Sequence, residues 1–113
     1  MADEVRLKKG DVLPVLQMTL RDSDGAALDL TAVTAVTFRM RARGDGSAGE
    51  LKVNSAGSVV APATGGVVEY AWQAADVNTV GVYDAEWALT YPGGGQTVPT
   101  AGYTTVIVEQ SLS

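Results

Sequence analysis

The sequence contains no cysteine and no histidine among its 113 residues. Without cysteine there are no disulfides, no thiolate metal ligands and no cysteine nucleophile. Without histidine there is no Ser-His or Cys-His catalysis, no imidazole acid or base, and almost no zinc chemistry. We therefore expect a protein that is not an enzyme and that uses no metal and no cofactor.

Long apolar runs are also missing, and the formal net charge is −5. No segment approaches the roughly 20 apolar residues that a membrane-spanning helix needs. Residues 1–9 lack the apolar core of a signal peptide, so we expect synthesis in a cytoplasm without a leader. An acidic balance argues against nucleic acid and anionic membranes as partners, and it favours a solvated surface.

Alternation of apolar and polar residues is the strongest pattern that is present. It is clearest over residues 83–91, where a period of two predicts a strand with one buried and one wet face. The 13 glycines and the absence of long helical periodicity also favour an all-β fold. The apolar face of this strand carries Tyr83, Ala85, Trp87, Leu89 and Tyr91.

Shorter alternating segments surround this strand and are separated by turn-forming residues. They lie near residues 5–7, 16–20, 36–40, 51–53, 68–72 and 103–108. Strands at this spacing predict one immunoglobulin-like two-sheet β-sandwich of about seven strands over residues 1–113, with an up-and-down barrel as the alternative. The even-numbered apolar residues of segments 16–20, 36–40 and 68–72 are expected to face the odd-numbered set of residues 83–91.

Asp76, Gly81 and Tyr83 precede or begin the main strand in an order that resembles a tyrosine corner, a feature of immunoglobulin-like sandwiches. Tyr83 is then expected to secure the corner and Trp87 to fill the centre. An exposed Trp87 would instead offer a platform on which a sugar ring stacks. The aromatic residues predicted for the corner and the core are Tyr83, Trp87, Phe38, Tyr70 and Trp72.

Several different short motifs follow one another along nearly the whole chain, and their order and spacing are informative. They are Lys9-Gly10-Asp11, residues 22–30 (DSDGAALDL), Val36-Thr37-Phe38, residues 66–70 (GVVEY), Gly81-Val82-Tyr83 with Trp87, residues 95–99 (GQTVP) and Val106-Ile107-Val108. In this order and spacing they resemble the immunoglobulin-like N-terminal domain of phage upper baseplate proteins (BppU-type). That domain also occurs in other tail, fibre and head-associated proteins of tailed phages.

The resemblance implies a non-enzymatic structural protein of a tailed-phage virion, a small adaptor present in many copies on the tail or baseplate. Its partners would be other virion proteins and copies of itself in a symmetric array. In such proteins a helical or fibre portion usually follows the domain, whereas this sequence ends at Ser113, which favours a stand-alone adaptor. A capsid decoration or head-fibre base is the first alternative. A carbohydrate-binding or adhesive module, with a host surface glycan as partner, is the alternative from another class.

Basic residues form a stripe on one face of the strand near residues 36–43. Arg39, Arg41 and Arg43 alternate there, and Lys52 extends the stripe. One interpretation is a docking surface for an acidic patch on another virion protein. The other is a solvated face whose arginines pair across the sheet with groups such as Glu69.

Both ends of the chain are candidate docking elements. Tyr103 and Ile107 lie on the face of the last strand opposite Val106 and Val108, so that strand is either central or meets a partner. The first and last strands are the natural sheet edges in this interpretation. Residues 1–9 are a candidate arm that orders only on docking.

Three further patterns have a simple structural explanation beside a functional one. Arg43-Gly44-Asp45 matches the tripeptide that integrins recognise, but so short a match in a glycine-rich loop favours a hairpin turn. The acidic residues Asp22, Asp24 and Asp29 offer oxygen ligands for calcium but lack EF-hand spacing, which favours turn formation. The carboxylates Asp76, Asp84 and Glu86 show no pocket of the kind a glycosidase needs.

Overall fold

The computed structural model describes residues 4–13, 15–22, 24–43, 51–98 and 104–110. Within these ranges the chain forms nine β-strands and two short 3-10 turns, the turns at Ala63–Gly65 and Ala74–Val77. The strands are β1 (Glu4–Lys8), β2 (Leu16–Thr19), β3 (Ala35–Ala42), β4 (Val53–Ala56), β5 (Ser58–Val59), β6 (Val67–Tyr70), β7 (Gly81–Tyr91), β8 (Gly94–Val98) and β9 (Thr104–Glu109). The all-β prediction is confirmed, with more strands than the seven expected.

Two sheets pack face to face as a sandwich, so the predicted two-sheet architecture is confirmed and the barrel is not formed. The larger sheet has the order β1-β9-β7-β3-β4, and β8 pairs with the far half of β7. The smaller sheet has the order β2-β6-β5. Pairing is antiparallel except between β1 and β9, which run parallel.

The long strand β7 organises the larger sheet, because it pairs with three other strands. Residues Gly81 to Ala85 pair with β9, Trp87 to Tyr91 pair with β8, and the opposite edge pairs with β3. Its side chains alternate between buried and partly exposed along the length, as the period of two predicts. The buried set is Tyr83, Ala85, Trp87 and Leu89.

The relation of β3 to β7 differs from the expectation that they face each other across the core. They are neighbours in one sheet, and Phe38 lies directly opposite Trp87 in the register. Side chains at such directly opposed positions are close enough to pack laterally. The smaller sheet supplies the opposite side of the core, to which β2 and β6 contribute Leu16, Val68 and Tyr70.

The chain crosses from one sheet to the other at Gly57. It ends β4 in the larger sheet and begins β5 in the smaller one, and the Gly57 N–H donates to the Val36 carbonyl at 2.9 Å. A Cβ at this position would lie 2.7 Å from the Glu69 carbonyl oxygen and 3.2 Å from the Trp87 ring. The crossing therefore requires a residue without a side chain.

The glycine-rich sequence after β7, residues 92–96 (PGGGQ), favours a flexible loop, but most of it belongs to a strand. Gly94 begins β8, which pairs with β7 from Trp87↔Val98 to Tyr91↔Gly94 as a hairpin. The pairing partner β7 supplies the backbone hydrogen bonds, so a strand forms despite the low strand propensity of glycine.

Candidate functional site

The five aromatic residues predicted for the corner and the core are all buried. Relative exposure is 0% for Trp87 and Phe38, 3% for Tyr83 and Tyr70, and 6% for Trp72. The Phe38 ring is central, with ring centroids 4.8 Å from Trp87, 5.0 Å from Tyr70 and 5.7 Å from Trp72. Neither tryptophan offers a face on which a sugar could stack.

Tyr83 forms the contact that defines a tyrosine corner. Its hydroxyl donates to the Thr79 carbonyl oxygen at 2.6 Å, four residues upstream along the chain. Burial raises the pKa of Tyr83 above its usual value. The corner thus ties the segment before β7 to the start of that strand.

Asp76 is a buried carboxylate whose oxygens are used inside the fold. Its Oδ2 accepts hydrogen bonds from the Tyr70 hydroxyl at 2.5 Å and from the Gln73 N–H at 2.8 Å. Burial and then the Asp76 carboxylate raise the pKa of Tyr70 to about 12. Asp76 thereby caps the short turn at Ala74–Val77 and joins it to β6, away from the other two carboxylates considered.

Asp84 and Glu86 lie on the outer face of the larger sheet and pair with the arginine stripe. In the register Arg39 lies opposite Glu86, with 3.6 Å between Arg39 Nη1 and Glu86 Oε2. Arg43 Nε lies 2.7 Å from Asp84 Oδ1. The cross-sheet interpretation is therefore confirmed for these two arginines.

The expected partner Glu69 is not the one that the arginines use. Glu69 lies on β6 in the other sheet, where it accepts a hydrogen bond from the Gln17 side chain at 3.0 Å. Arg41 lies opposite Asp84 in the register and, with Arg39, Leu51 and Glu86, borders a shallow depression on this face. Opposite charges alternate across the depression, so the face is not a uniformly basic surface.

Arg43 makes a second contact, since its Nη2 donates to the Thr105 hydroxyl on β9 at 2.7 Å. The guanidinium of Arg43, the first residue of the integrin-like tripeptide, is thus held against the sheet. Gly44 and Asp45 lie outside the described residues, as does Tyr103.

The acidic residues between β2 and β3 form turns. Asp22 Oδ1 accepts the N–H groups of Asp24 at 2.9 Å and Ala26 at 3.1 Å. Asp29 accepts the Thr31 N–H at 3.0 Å and its hydroxyl, which together lower the pKa of Asp29. No group of three possible metal ligands occurs in the described part of the chain.

The two terminal strands do not both form edges, contrary to expectation. β9 lies between β1 and β7, so Ile107 is half-buried in the interior of the sheet with Val82 opposite it. The apolar residues on both faces of β9 reflect this central position. The candidate arm, residues 1–9, is described from Glu4 onwards, and Glu4 to Lys8 form the edge strand β1.

One feature that the sequence analysis missed is a groove along the open side of the sandwich. It lies beneath the edge strand β1 and beside β2, the edge of the smaller sheet. Leu13 borders it and is 74% exposed. The signal in the sequence is the apolar segment of residues 12–16, which fits no alternating strand. The apolar lining comprises Val5, Leu7, Leu13, Val15, Leu16 and Trp72.

No helix within the described ranges is long and apolar enough to cross a membrane. A scan against models of protein families found no match, and searches of curated proteins and of solved structures found no significant similarity.

Proposed function

We propose that this protein is an immunoglobulin-like adaptor of a tailed-phage virion, a non-enzymatic structural component carried in many copies on the tail or baseplate. The strand order is the observation that supports it best. One immunoglobulin sheet contains strands B, E and D, and the other contains C, F and G. We take β2, β6 and β5 as strands B, E and D, and β3, β7 and β9 as strands C, F and G. The strand orders β2-β6-β5 and β9-β7-β3 then match that arrangement.

The tyrosine corner adds to this support. In immunoglobulin-like domains the corner tyrosine lies near the start of strand F, which corresponds here to β7. Tyr83 is the third residue of β7 and donates to Thr79 upstream. The same segments carry the motifs that resemble the N-terminal domain of upper baseplate proteins.

The distribution of side chains favours protein contacts over sugar binding. Carbohydrate modules use exposed aromatic rings, whereas Trp87 and Trp72 are at most 6% exposed. Among the residues that the structure describes, β1 has a partner on one side only, and an apolar groove lies beneath it. Free edges bind extended segments through main-chain hydrogen bonds, and repetition across a symmetric array multiplies weak contacts into avidity.

Location of the protein in purified virions tests this proposal. Particles of the phage that encodes the chain are purified through a density gradient, digested and analysed by mass spectrometry. Gold-labelled antibody against the recombinant protein then locates it by electron microscopy. We expect many copies per particle and label on the tail or baseplate.

Each other outcome has a distinct meaning. Label confined to the head would replace the tail assignment with a capsid decoration or head-fibre base. Absence from washed particles would contradict the virion role. Glycan-array binding by the pure protein would favour the adhesive module instead.

A further inference from the structure

The strand β1 presents an unpaired edge of the larger sheet. Its pairing partner within the described residues is β9, on one side only. The Lys9 N–H donates to the Glu109 carbonyl at 2.7 Å. Successive residues of a strand direct their backbone groups to opposite sides, so Glu4, Arg6 and Lys8 direct theirs away from β9. The Lys8 carbonyl already accepts the Asp11 N–H at 3.0 Å, so Lys8 leaves only its N–H for a partner.

The inner face of this edge is apolar and incompletely covered. Val5 and Leu7 are half-buried, whereas Glu4, Arg6 and Lys8 are exposed. The groove is bordered by Val5 and Leu7 and also by Glu4 and Arg6. An occupant of this edge would therefore satisfy backbone groups and cover apolar side chains at the same time.

The charge order of β1 is self-complementary about Arg6. In an antiparallel pair of two β1 strands centred there, Glu4 of each copy lies opposite Lys8 of the other. We propose that β1 is a homodimer interface, in which two copies of this chain join their larger sheets edge to edge across a two-fold axis at Arg6. An isologous contact of this kind uses the same patch on both subunits.

The register that follows suits both faces of the strand. Arg6 opposite Arg6 and Glu4 opposite Lys8 are the hydrogen-bonded positions, and Lys8 contributes its N–H there because its carbonyl already accepts the Asp11 N–H. Val5 lies opposite Leu7 at the closer, non-hydrogen-bonded positions, about 4.5 Å apart between Cα atoms. The four apolar side chains then cover one another over the two grooves.

The opposed arginines at the centre already have acidic partners in their own copy. Arg6 Nε lies 3.2 Å from Glu4 Oε1, and Arg6 Nη1 lies 3.7 Å from Glu109 Oε1. These contacts offset the repulsion between the two guanidinium groups across the axis.

The other edge strands lack this order of charge. The edges β2 (LQMT), β4 (VNSA), β5 (SV) and β8 (GGQTV) contain no charged residue. Charged residues on an edge also serve to prevent pairing in many proteins. In β1, however, pairing of two copies brings Glu4 of one copy opposite Lys8 of the other. The charges therefore favour pairing instead of preventing it.

The interface is small, with five residues from each copy. Stable interfaces bury roughly 1,200 Å² or more, so we expect a weak dimer that populates at high protein concentration. The pairing does not depend on the virion role, since it follows from β1 alone and is measured on the pure protein.

Disulfide trapping tests the register directly, because the chain contains no cysteine of its own. In the proposed pair the two copies of residue 6 have Cα atoms about 5.5 Å apart, within the range that a disulfide spans. Arg6→Cys should therefore form covalent dimers on mild oxidation. Lys8→Cys is the matched control, since its two copies would lie about 13 Å apart, four residues along the strand.

The yield of dimer on a non-reducing gel is compared over a dilution series, with circular dichroism to confirm that both variants fold. We expect at least about 10-fold faster trapping for Arg6→Cys than for Lys8→Cys, because only the former meets the distance requirement. Equal trapping of both variants, or none for Arg6→Cys, would contradict the register.

A charge exchange tests the same interface without cysteine. Glu4→Lys and Lys8→Glu each turn both attractive pairs into repulsive ones, and should weaken dimerisation by about 10-fold in sedimentation equilibrium. The double variant Glu4→Lys/Lys8→Glu restores opposite charges across the interface and should bind at least about 3-fold more tightly than either single variant. It should stay weaker than the wild type, because it lacks the Glu4–Arg6 ion pair. A wild-type protein that stays monomeric at millimolar concentration, or a double variant as weak as the single ones, would overturn the proposal.

Discussion

Individual buried polar groups determine how the aromatic core is positioned. Tyr83 and Tyr70 each bury a ring and use the hydroxyl to hold a neighbouring segment, through Thr79 and Asp76 respectively. Trp87 differs, since its buried Nε1 has no hydrogen-bond partner among the described residues. A buried donor without a partner costs about 1–3 kcal/mol. The Trp87 ring packs against Phe38, with 4.8 Å between the ring centroids.

Removal of the Tyr83 hydroxyl should loosen the corner without emptying the core. Tyr83→Phe keeps the ring but leaves the Thr79 carbonyl without this donor, so we expect a loss of about 1 kcal/mol in the free energy of unfolding. Urea denaturation measures it. Tyr91→Phe is the matched control, because that hydroxyl donates to the Gln96 side chain at a half-buried position. An equal loss of unfolding free energy in both variants would show that the corner hydrogen bond contributes no more than an ordinary side-chain hydrogen bond.

Alkaline pH should destabilise the fold through the raised pKa of Tyr70. Below pH 10 the hydroxyl is protonated in both folded and unfolded chains, and its contribution is complete. Between pH 10 and about 12 the unfolded chain ionises first, so stability falls as pH rises towards the folded pKa. The slope approaches about 1.4 kcal/mol per pH unit.

Urea midpoints at several alkaline pH values measure this loss, with Tyr70→Phe as the comparison. Ionisation of lysines affects both proteins alike, whereas the Tyr70 contribution is present only in the wild type. We expect a shallower decline in Tyr70→Phe. Parallel declines would mean that another group controls the alkaline transition.

At the scale of the elements, the place where a strand leaves one sheet for the other is the most constrained point. β4 and β5 are separated by Gly57 alone, and the backbone of β6 and the ring of Trp87 close in on it. The crossing places β5 beside β6 and so completes the smaller sheet.

Gly57→Ala should therefore be costly. The new Cβ would meet the Glu69 carbonyl oxygen at 2.7 Å, a backbone atom that moves only with β6. We expect a loss of about 2 kcal/mol or more in the free energy of unfolding. Gly93→Ala is the control, because nothing lies within 4 Å of its added Cβ. A neutral Gly57→Ala variant would show that the crossing relaxes easily.

Strands with one buried face were predictable from the sequence. Strands whose formation or position in the sheet depends on the strands beside them were not. β3 and β7 alternate cleanly, so both strands and their buried residues follow from the period of two. The β8 hairpin depends on backbone pairing with β7, which glycines do not signal. β9 is apolar on both faces, a pattern that fits a central strand and a docking edge equally.

The candidate surfaces show the same division. The pairing of Arg39 with Glu86 required the register between β3 and β7, which no local pattern supplies. The groove beneath β1 required two edges from different sheets to come together. The outward position of the charged residues follows from the period of two along each strand, whereas their partners depend on how the strands pair.

The whole molecule has one core shared by both sheets, with a tryptophan associated with each. Trp87 lies on β7 in the larger sheet, and Trp72 follows β6 in the smaller one. Both contact Phe38, so the two sheets bury their aromatic residues against the same ring. If one sheet unfolded, the core-facing side chains of the other would be exposed to water. We therefore expect both sheets to unfold in a single transition.

Variants with one tryptophan test this cooperativity. Trp72→Phe leaves Trp87 to report on the larger sheet, and Trp87→Phe leaves Trp72 to report beside the smaller one. In each variant, the fluorescence transition in urea should coincide with the loss of far-UV circular dichroism, because a two-state transition is seen equally by every probe. The comparison is made within each variant, so that any difference in stability between the two is irrelevant. If Trp72 fluorescence changed at lower urea than the circular dichroism, the smaller sheet would open first, and the sandwich would contain two units of separate stability instead of one.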